Sequence, residues 1–121
     1  MSLTIIFSIL IIHWIADFWL QSDWQAKNKS SNNEALTRHV LTYSTVWLLV
    51  GNSYAILTDN WHMHFFWIIT FICHWITDYF TSRLNTKLYN AGKIHYFFVS
   101  IGGDQILHYF QLFLTYKLLT Q

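Results

Sequence analysis

Proline, the strongest breaker of helices, is absent from these 121 residues, and glycine occurs only four times. Little in the chain therefore punctuates it into many strands or a linker. Cys73 is the single cysteine, so no intrachain disulfide forms and cysteine usage does not report the redox compartment. Charge is scarce too: 11% of residues are charged, against about a quarter in an ordinary soluble domain. The formal net charge of +1 argues against nucleic acid as a partner. The apolar N-terminus lacks a basic leader and a small-residue cleavage site. It reads as a retained membrane segment, not a signal peptide.

What the chain has instead is apolar and aromatic: 54% of residues are hydrophobic and 20% are aromatic. They gather in four runs, about 3–20, 40–57, 63–80 and 96–116. Each is near the ~20 residues a helix needs to cross a bilayer core. The expected architecture is all-α: one membrane domain over residues 1–121, a polytopic bundle of four transmembrane helices. A bundle in water would need a polar outer face on every helix, and the charges are too few to supply one.

The basic residues give the bundle an orientation. Lys27, Lys29 and Arg38 fall in the loop 21–39, and Arg83, Lys87 and Lys93 fall in the loop 81–95. The connection 58–62 has no lysine or arginine. The positive-inside rule places both basic loops in the cytoplasm and both termini outside, as in a bacterial inner membrane. Trp24 and Trp61 are expected at the interfaces. Ser31-x-x-Glu34 fits a capping box leading into the second span.

Inside the apolar runs stand residues that a bilayer does not favour. His13-Trp14-Ile15-Ala16-Asp17 recurs as His74-Trp75-Ile76-Thr77-Asp78, and the fourth run carries Asp104-Gln105-x-x-His108. The two halves read as an approximate repeat of helix pairs. A spacing of four stacks His and Asp on one helix face. An aspartate at mid-span costs ~2.5–3.5 kcal/mol, so these residues are expected to face the bundle interior. The third pair is written in reverse order on a helix running the other way. All three aspartates therefore share one level, nearer the cytoplasm, and the three histidines lie about 6 Å deeper. His39 is expected at the cytoplasmic mouth of the same site.

Three carboxylates in a low dielectric repel one another unless cations are present. The set His13, Asp17, His39, His74, Asp78, Asp104 and His108 is thus read as a metal site for one or two divalent ions. Zinc is the first choice, with iron or manganese also suited to imidazole and carboxylate. Asp17, Asp78 and Asp104 are the candidate catalytic carboxylates, as ligands or as general base. The competing reading for each pair alone is a hydrogen bond that locks two helices, or neutralisation by Lys29, Arg38, Arg83 or Lys93 reaching in. Gln21 and Gln105 are candidate supporting residues, and Tyr43 is placed to bond His39. His62, His64 and His95 are expected at the surface or interface, and Cys73 in the core. Gly102 and Gly103 would allow close helix approach or a bend before Asp104.

The run from His13 through Asp17, Gln21 and Trp24 to Lys29, followed by the second His-x-x-x-Asp and by Asp104-Gln105-x-x-His108, resembles a family of small prokaryotic and phage membrane proteins. It is known as a domain of unknown function of the thirty-three-oh-seven type. The resemblance covers nearly the whole chain and implies a multi-span membrane protein with the seven His and Asp residues at signature positions. More distantly the pattern is similar to membrane-bound metal-dependent hydrolases.

Three functions compete on these grounds. The first is a metal-dependent hydrolase acting on an anionic or phosphorylated lipid-like substrate, with the basic residues at the mouth. The second is a metal-stapled structural or interaction protein without turnover, in a phage-encoded version a modulator of a host membrane partner. The third is metal or proton transport, which four helices would manage only as a homo-oligomer. Haem between facing histidines is disfavoured, because each histidine comes with an aspartate one turn away. A lysis pore gives no reason for the layered His and Asp.

Overall fold

Ser2 starts the first helix, its hydroxyl accepting from the backbone N–H of Ile5. The helix, α1 (Leu3–Trp14), passes directly into a π-helical turn over Ile15–Trp19, closed by a bond from the Leu20 N–H to the Ile15 carbonyl at 3.0 Å. A short α2 (Asp23–Asn28) follows, then α3 (Asn33–Thr58). A 3-10 turn at Trp61–Phe65 leads into α4 (Phe66–Asn90), and α5 (Ile94–Leu119) ends the fold. The computed structural model describes residues 1–121, all helix and connection with no strand.

The four long helices close on one another in a ring. α3 packs on α4, α4 on α5, and α5 on α1, while the π-helical turn lies against α3. Short connections make successive helices antiparallel. Gly51 shows how tight one join is: a Cβ there would sit 2.8 Å from the Met63 carbonyl oxygen, so only glycine lets the 3-10 turn pack onto α3. Asp59 caps the end of α3 in the left-handed conformation (φ 53°).

Several boundaries differ from the sequence expectation. The second helix is capped by Asn32, whose side chain accepts from the Glu34 and Ala35 N–H groups, not by a Ser31 box. The capping box in this region is Ser22 with Gln25, and it opens α2. The region 81–95 is mostly not a loop. α4 runs to Asn90, because 81–90 contains no helix breaker and only its apolarity stops. The chain turns at Ala91–Lys93, with Gly92 at φ 69°. Gly102 and Gly103 do not interrupt α5, which is continuous, and they bring no helix close: a Cβ at either would meet nothing within 4 Å.

The packing is inverted relative to a soluble bundle. Buried positions include eleven hydrophobic residues and ten polar or charged ones. Leu49, Ile56, Phe80, Phe98, Ile106 and Phe110 meanwhile stand exposed. The apolar core, with Trp47, Met63, Phe66 and Leu112, occupies the half away from the basic residues. Only α3 is both long and apolar enough to cross a membrane by length and composition, and Leu3–Trp19 is apolar but shorter.

Candidate metal centre

His13 and Asp17 reach the interior from the junction of α1 and its π-helical turn, while Phe18, Trp19 and Leu20 on the same turn face outward. Such turns concentrate at functional sites. His39 comes from the second turn of α3, His74 and Asp78 from α4, and Asp104 and His108 from α5. Six of these seven residues are at most 4% exposed, and Asp104 is partly exposed. The expected convergence is present, but His39 is not at a mouth. It is fully buried at the centre of the group.

The donors sort into two clusters. In the first, the Nε2 of His39 lies 3.0 Å from Asp17 Oδ1 and 3.3 Å from Asp78 Oδ2. His74 Nε2 lies 3.5 Å from each of the same two oxygens and 3.3 Å from His39 Nε2. In the second, His108 Nε2 is 3.1 Å from Asp78 Oδ1 and 3.3 Å from Asp104 Oδ1. Asp78 therefore turns one oxygen to each cluster. Each set of donor atoms lies within 4.8 Å of one another.

These spacings match what a cation needs. Ligands about 2.0–2.1 Å from a tetrahedral ion stand roughly 3.3–3.4 Å apart. Five of the six donor separations in the first cluster run from 3.0 to 3.5 Å. Two buried oxygens, Asp17 Oδ1 and Asp104 Oδ1, face histidine nitrogens yet have no aligned hydrogen bond, one in each cluster. Two imidazole nitrogens meeting at 3.3 Å likewise need a proton or a cation between them. With the histidines neutral, as metal ligation requires, three carboxylates against the ammonium of Lys29 leave two negative charges, the complement of one divalent ion. The buried His/Asp groups could hold a divalent metal.

Aromatic stacking fixes the rings. Tyr43 stacks on His74 at 3.8 Å and His74 on His108 at 4.1 Å. The Nδ1 atoms of His39 and His74 are buried without the carboxylate or carbonyl partner that metal-bound histidines commonly have. For His74, stacking between Tyr43 and His108 holds the ring in place of that partner.

His13 stands apart from both clusters. Its Nδ1 bonds the Tyr43 hydroxyl and its Nε2 bonds Gln105 Oε1, each at 2.8 Å. The Gln105 amide is oriented by donating its Nε2 to Asp104 Oδ2 at 3.1 Å. His13 Nε2 must then be the donor, which leaves it no lone pair for a metal. It remains 3.5 Å from Asp17 Oδ2 and supports the site through Gln105 and Asp17. Tyr43 accordingly bonds His13, not His39 as its spacing in the sequence implies.

One cation does reach in. Lys29 is the C-cap of α2, and its Nζ donates to Asp78 Oδ2 at 2.9 Å. Burial alone would lower its pKa, but Asp78, then Asp17 and Asp104, outweigh that and raise it. Arg38 instead pairs with Glu34, and Arg83 with Asn33 and the Tyr79 carbonyl. The role of Lys29 was legible only in part. The signal was Ser22-x-x-Gln25, which opens the short helix that carries it.

The remaining candidates lie elsewhere. Gln21 Oε1 is buried without a bond, near Asp17 and Asp104 on the wall of a polar cavity of about 150 Å³. His64 bonds Asn52 and is exposed, as are His62 and His95. Cys73 is half-buried and is not in either cluster.

No curated protein and no solved structure matches this chain. The model of a family described as "Protein of unknown function (DUF3307)" matches residues 5–121, which include all seven His and Asp residues. The chain belongs to the DUF3307 family.

Proposed function

We propose that this chain is a single-domain integral membrane protein that crosses a bacterial cytoplasmic membrane four times. In this reading the two clusters hold one or two divalent ions, zinc first among them, and hydrolyse an anionic or phosphorylated lipid-like substrate. The inverted packing supports the membrane part. Large apolar side chains would otherwise face water, while polar groups make up about half of the buried positions. Six of the seven basic residues fall at one end of the bundle, which supports a cytoplasmic face there and both termini outside.

The observation that carries the hydrolase reading is Asp78, shared by two clusters that border a polar cavity. A structural metal is closed off by four protein ligands, whereas a catalytic one keeps a position open. The second cluster has three donors, and its Asp104 lines the cavity. That favours turnover over a closed staple. A bound divalent metal supplies a Lewis acid and a water acidic enough to attack an ester near neutral pH.

The chain's own residues do the rest. Asp17, His39, His74, Asp78, Asp104 and His108 bind the ions. Gln105, held by His13, orients Asp104. Asp104, the most accessible of the three carboxylates, brings the second cluster to the cavity wall, and an aspartate left unbound by metal would act as general base. Lys29 holds the anionic part of the substrate, and the apolar outer surface keeps the site within reach of lipid.

Elemental analysis of detergent-purified protein tests this directly. Stoichiometric metal, reduced by the first cluster's ion in Asp17→Ala and His74→Ala, is the expected result. Wild type that folds and carries no metal would overturn the reading, whether or not it is active.

A further inference from the structure

Lys29 belongs to the walls of two cavities. The polar cavity of about 150 Å³ beside the clusters is lined by Asp17, Gln21, Lys29, Asn85, Asp104 and others. A larger cleft of about 500 Å³ also has Lys29, Asn85 and Ile101 in its wall and extends to Lys27, Ser82 and Thr86. The three shared residues mark the boundary between the two. The cleft therefore opens beside α2, α4 and α5 at the basic end and meets the inner cavity at Lys29.

The two spaces differ in charge. The inner cavity is acidic, with Asp17 and Asp104 in its wall. The cleft is lined by two lysines and no carboxylate. It also holds polar groups that the chain leaves unused. Ser82 is only 7% exposed, and its hydroxyl has no partner; Asn85 Oδ1 is buried without one as well. A buried polar atom left unpaired is unfavourable, so each has capacity for a hydrogen bond from a group outside the chain. The Lys29 ammonium sits at the end of a flexible four-carbon stem. From this boundary the same charge can serve Asp78 or an anion in the cleft.

The geometry points to this cleft as the headgroup site of a hydroxyl-bearing phosphate ester. The phosphate sits on Lys29 at the boundary, the hydroxyl-bearing part lies along Ser82, Asn85 and Thr86, and the ester bond is turned toward the clusters. This rests on the hydrolase reading above and adds to it the substrate's recognition element.

The probe is glycerol phosphonate, a non-hydrolysable stand-in, titrated calorimetrically into purified protein whose metal content has been measured. Wild type is expected to bind it. Lys29→Met should weaken binding by about tenfold or more, the loss of one charge-assisted hydrogen bond. Ser82→Phe, which fills the cleft, should abolish it, with metal content unchanged. Should Ser82→Phe fail to fold, Thr86→Trp at the exposed rim provides the same block. Metal-loaded wild type that ignores the probe, or binds it equally well in all three variants, overturns the cleft and leaves the metal reading standing. Metal-free protein that binds the probe with the same Lys29 and cleft dependence keeps the cleft and overturns the hydrolase. Metal-free protein that does not bind overturns both. Repeating the titration in nanodiscs identifies the source of the ester. Competition by phosphatidylglycerol, and not by phosphatidylcholine, assigns the cleft to a lipid headgroup, whereas equal binding in both assigns it to a free ester.

Discussion

The two His-x-x-x-Asp motifs are nearly interchangeable as text and are used differently in the fold. In the second, His74 and Asp78 both belong to the first cluster, and Asp78 belongs to the second cluster as well. In the first, only Asp17 contributes; His13 is held by Tyr43 and Gln105. The local spacing is the same, so the difference comes from what other helices bring. α4 lies between α3 and α5, and its motif meets His39 on one side and His108 on the other. α1 packs on α5, where Gln105 meets His13 before any carboxylate except its own Asp17 does. A repeated motif thus supplies matched side chains, and its neighbours decide which of them are free to bind a ligand.

The widest gap between the motifs should appear at their aspartates. Asp78→Ala removes the group common to both clusters and strands Lys29, so all bound metal should be lost. Leaving one buried charge unpaired typically costs about 3–5 kcal/mol, and the melting temperature in detergent should fall accordingly. Asp17→Ala should release the first cluster's ion only and spare the Lys29 pair. Equal metal loss and equal destabilisation in the two variants would show that the site is one unit in which Asp78 has no special place.

The histidines come next. His74→Ala should abolish metal binding in the first cluster, whereas His13→Ala should keep the stoichiometry and weaken affinity by about 10–100-fold, the usual effect of removing a supporting partner. Metal titration with a competing chelator separates the two cases. If His13→Ala empties the site as completely as His74→Ala, the Gln105 bond does not exclude His13 from the ligands. Tyr43→Phe is the milder probe of the same link. It keeps the stack on His74 and removes one hydrogen bond to His13, worth about 0.5–1.5 kcal/mol of stability.

Much of this could be read from the sequence, and the failures share a cause. The helices were visible because long apolar runs without proline have little else to become. Their ends were not, because apolarity was used to end them: α4 continues ten residues past Phe80 through a more polar stretch that contains neither proline nor glycine. The gathering of His and Asp followed from spacing and the antiparallel order of the third pair. The depth of His39 did not, since it depends on α3 starting at Asn33, seven residues before the apolar run. Lys29 was one of four basic residues weighed as a counter-ion, and only the Ser22 cap distinguishes it by setting the helix that delivers it. His13 was counted as a ligand because its competitor, Gln105, is 92 positions away in the chain.

The smallest expected difference lies in the tryptophans inside the motifs, and it separates motif geometry from mere repetition. Trp75 turns its indole N–H to the Thr37 hydroxyl at 3.1 Å and stacks on Tyr79, so it ties α4 to α3 next to His39. Trp14 is 50% exposed and touches Trp19 on its own helix segment. Replacing either by phenylalanine keeps an aromatic ring and removes the N–H. Trp75→Phe should then cost about 0.5–1.5 kcal/mol, the net worth of one hydrogen bond. Trp14→Phe should stay within about 0.5 kcal/mol, as a surface change does. Thermal melts of the two variants in the same detergent make the comparison. A larger loss from Trp14→Phe would mean that its exposed face makes a contact beyond those within the chain, and the two motifs would then be alike in anchoring their helices even though they differ at the site.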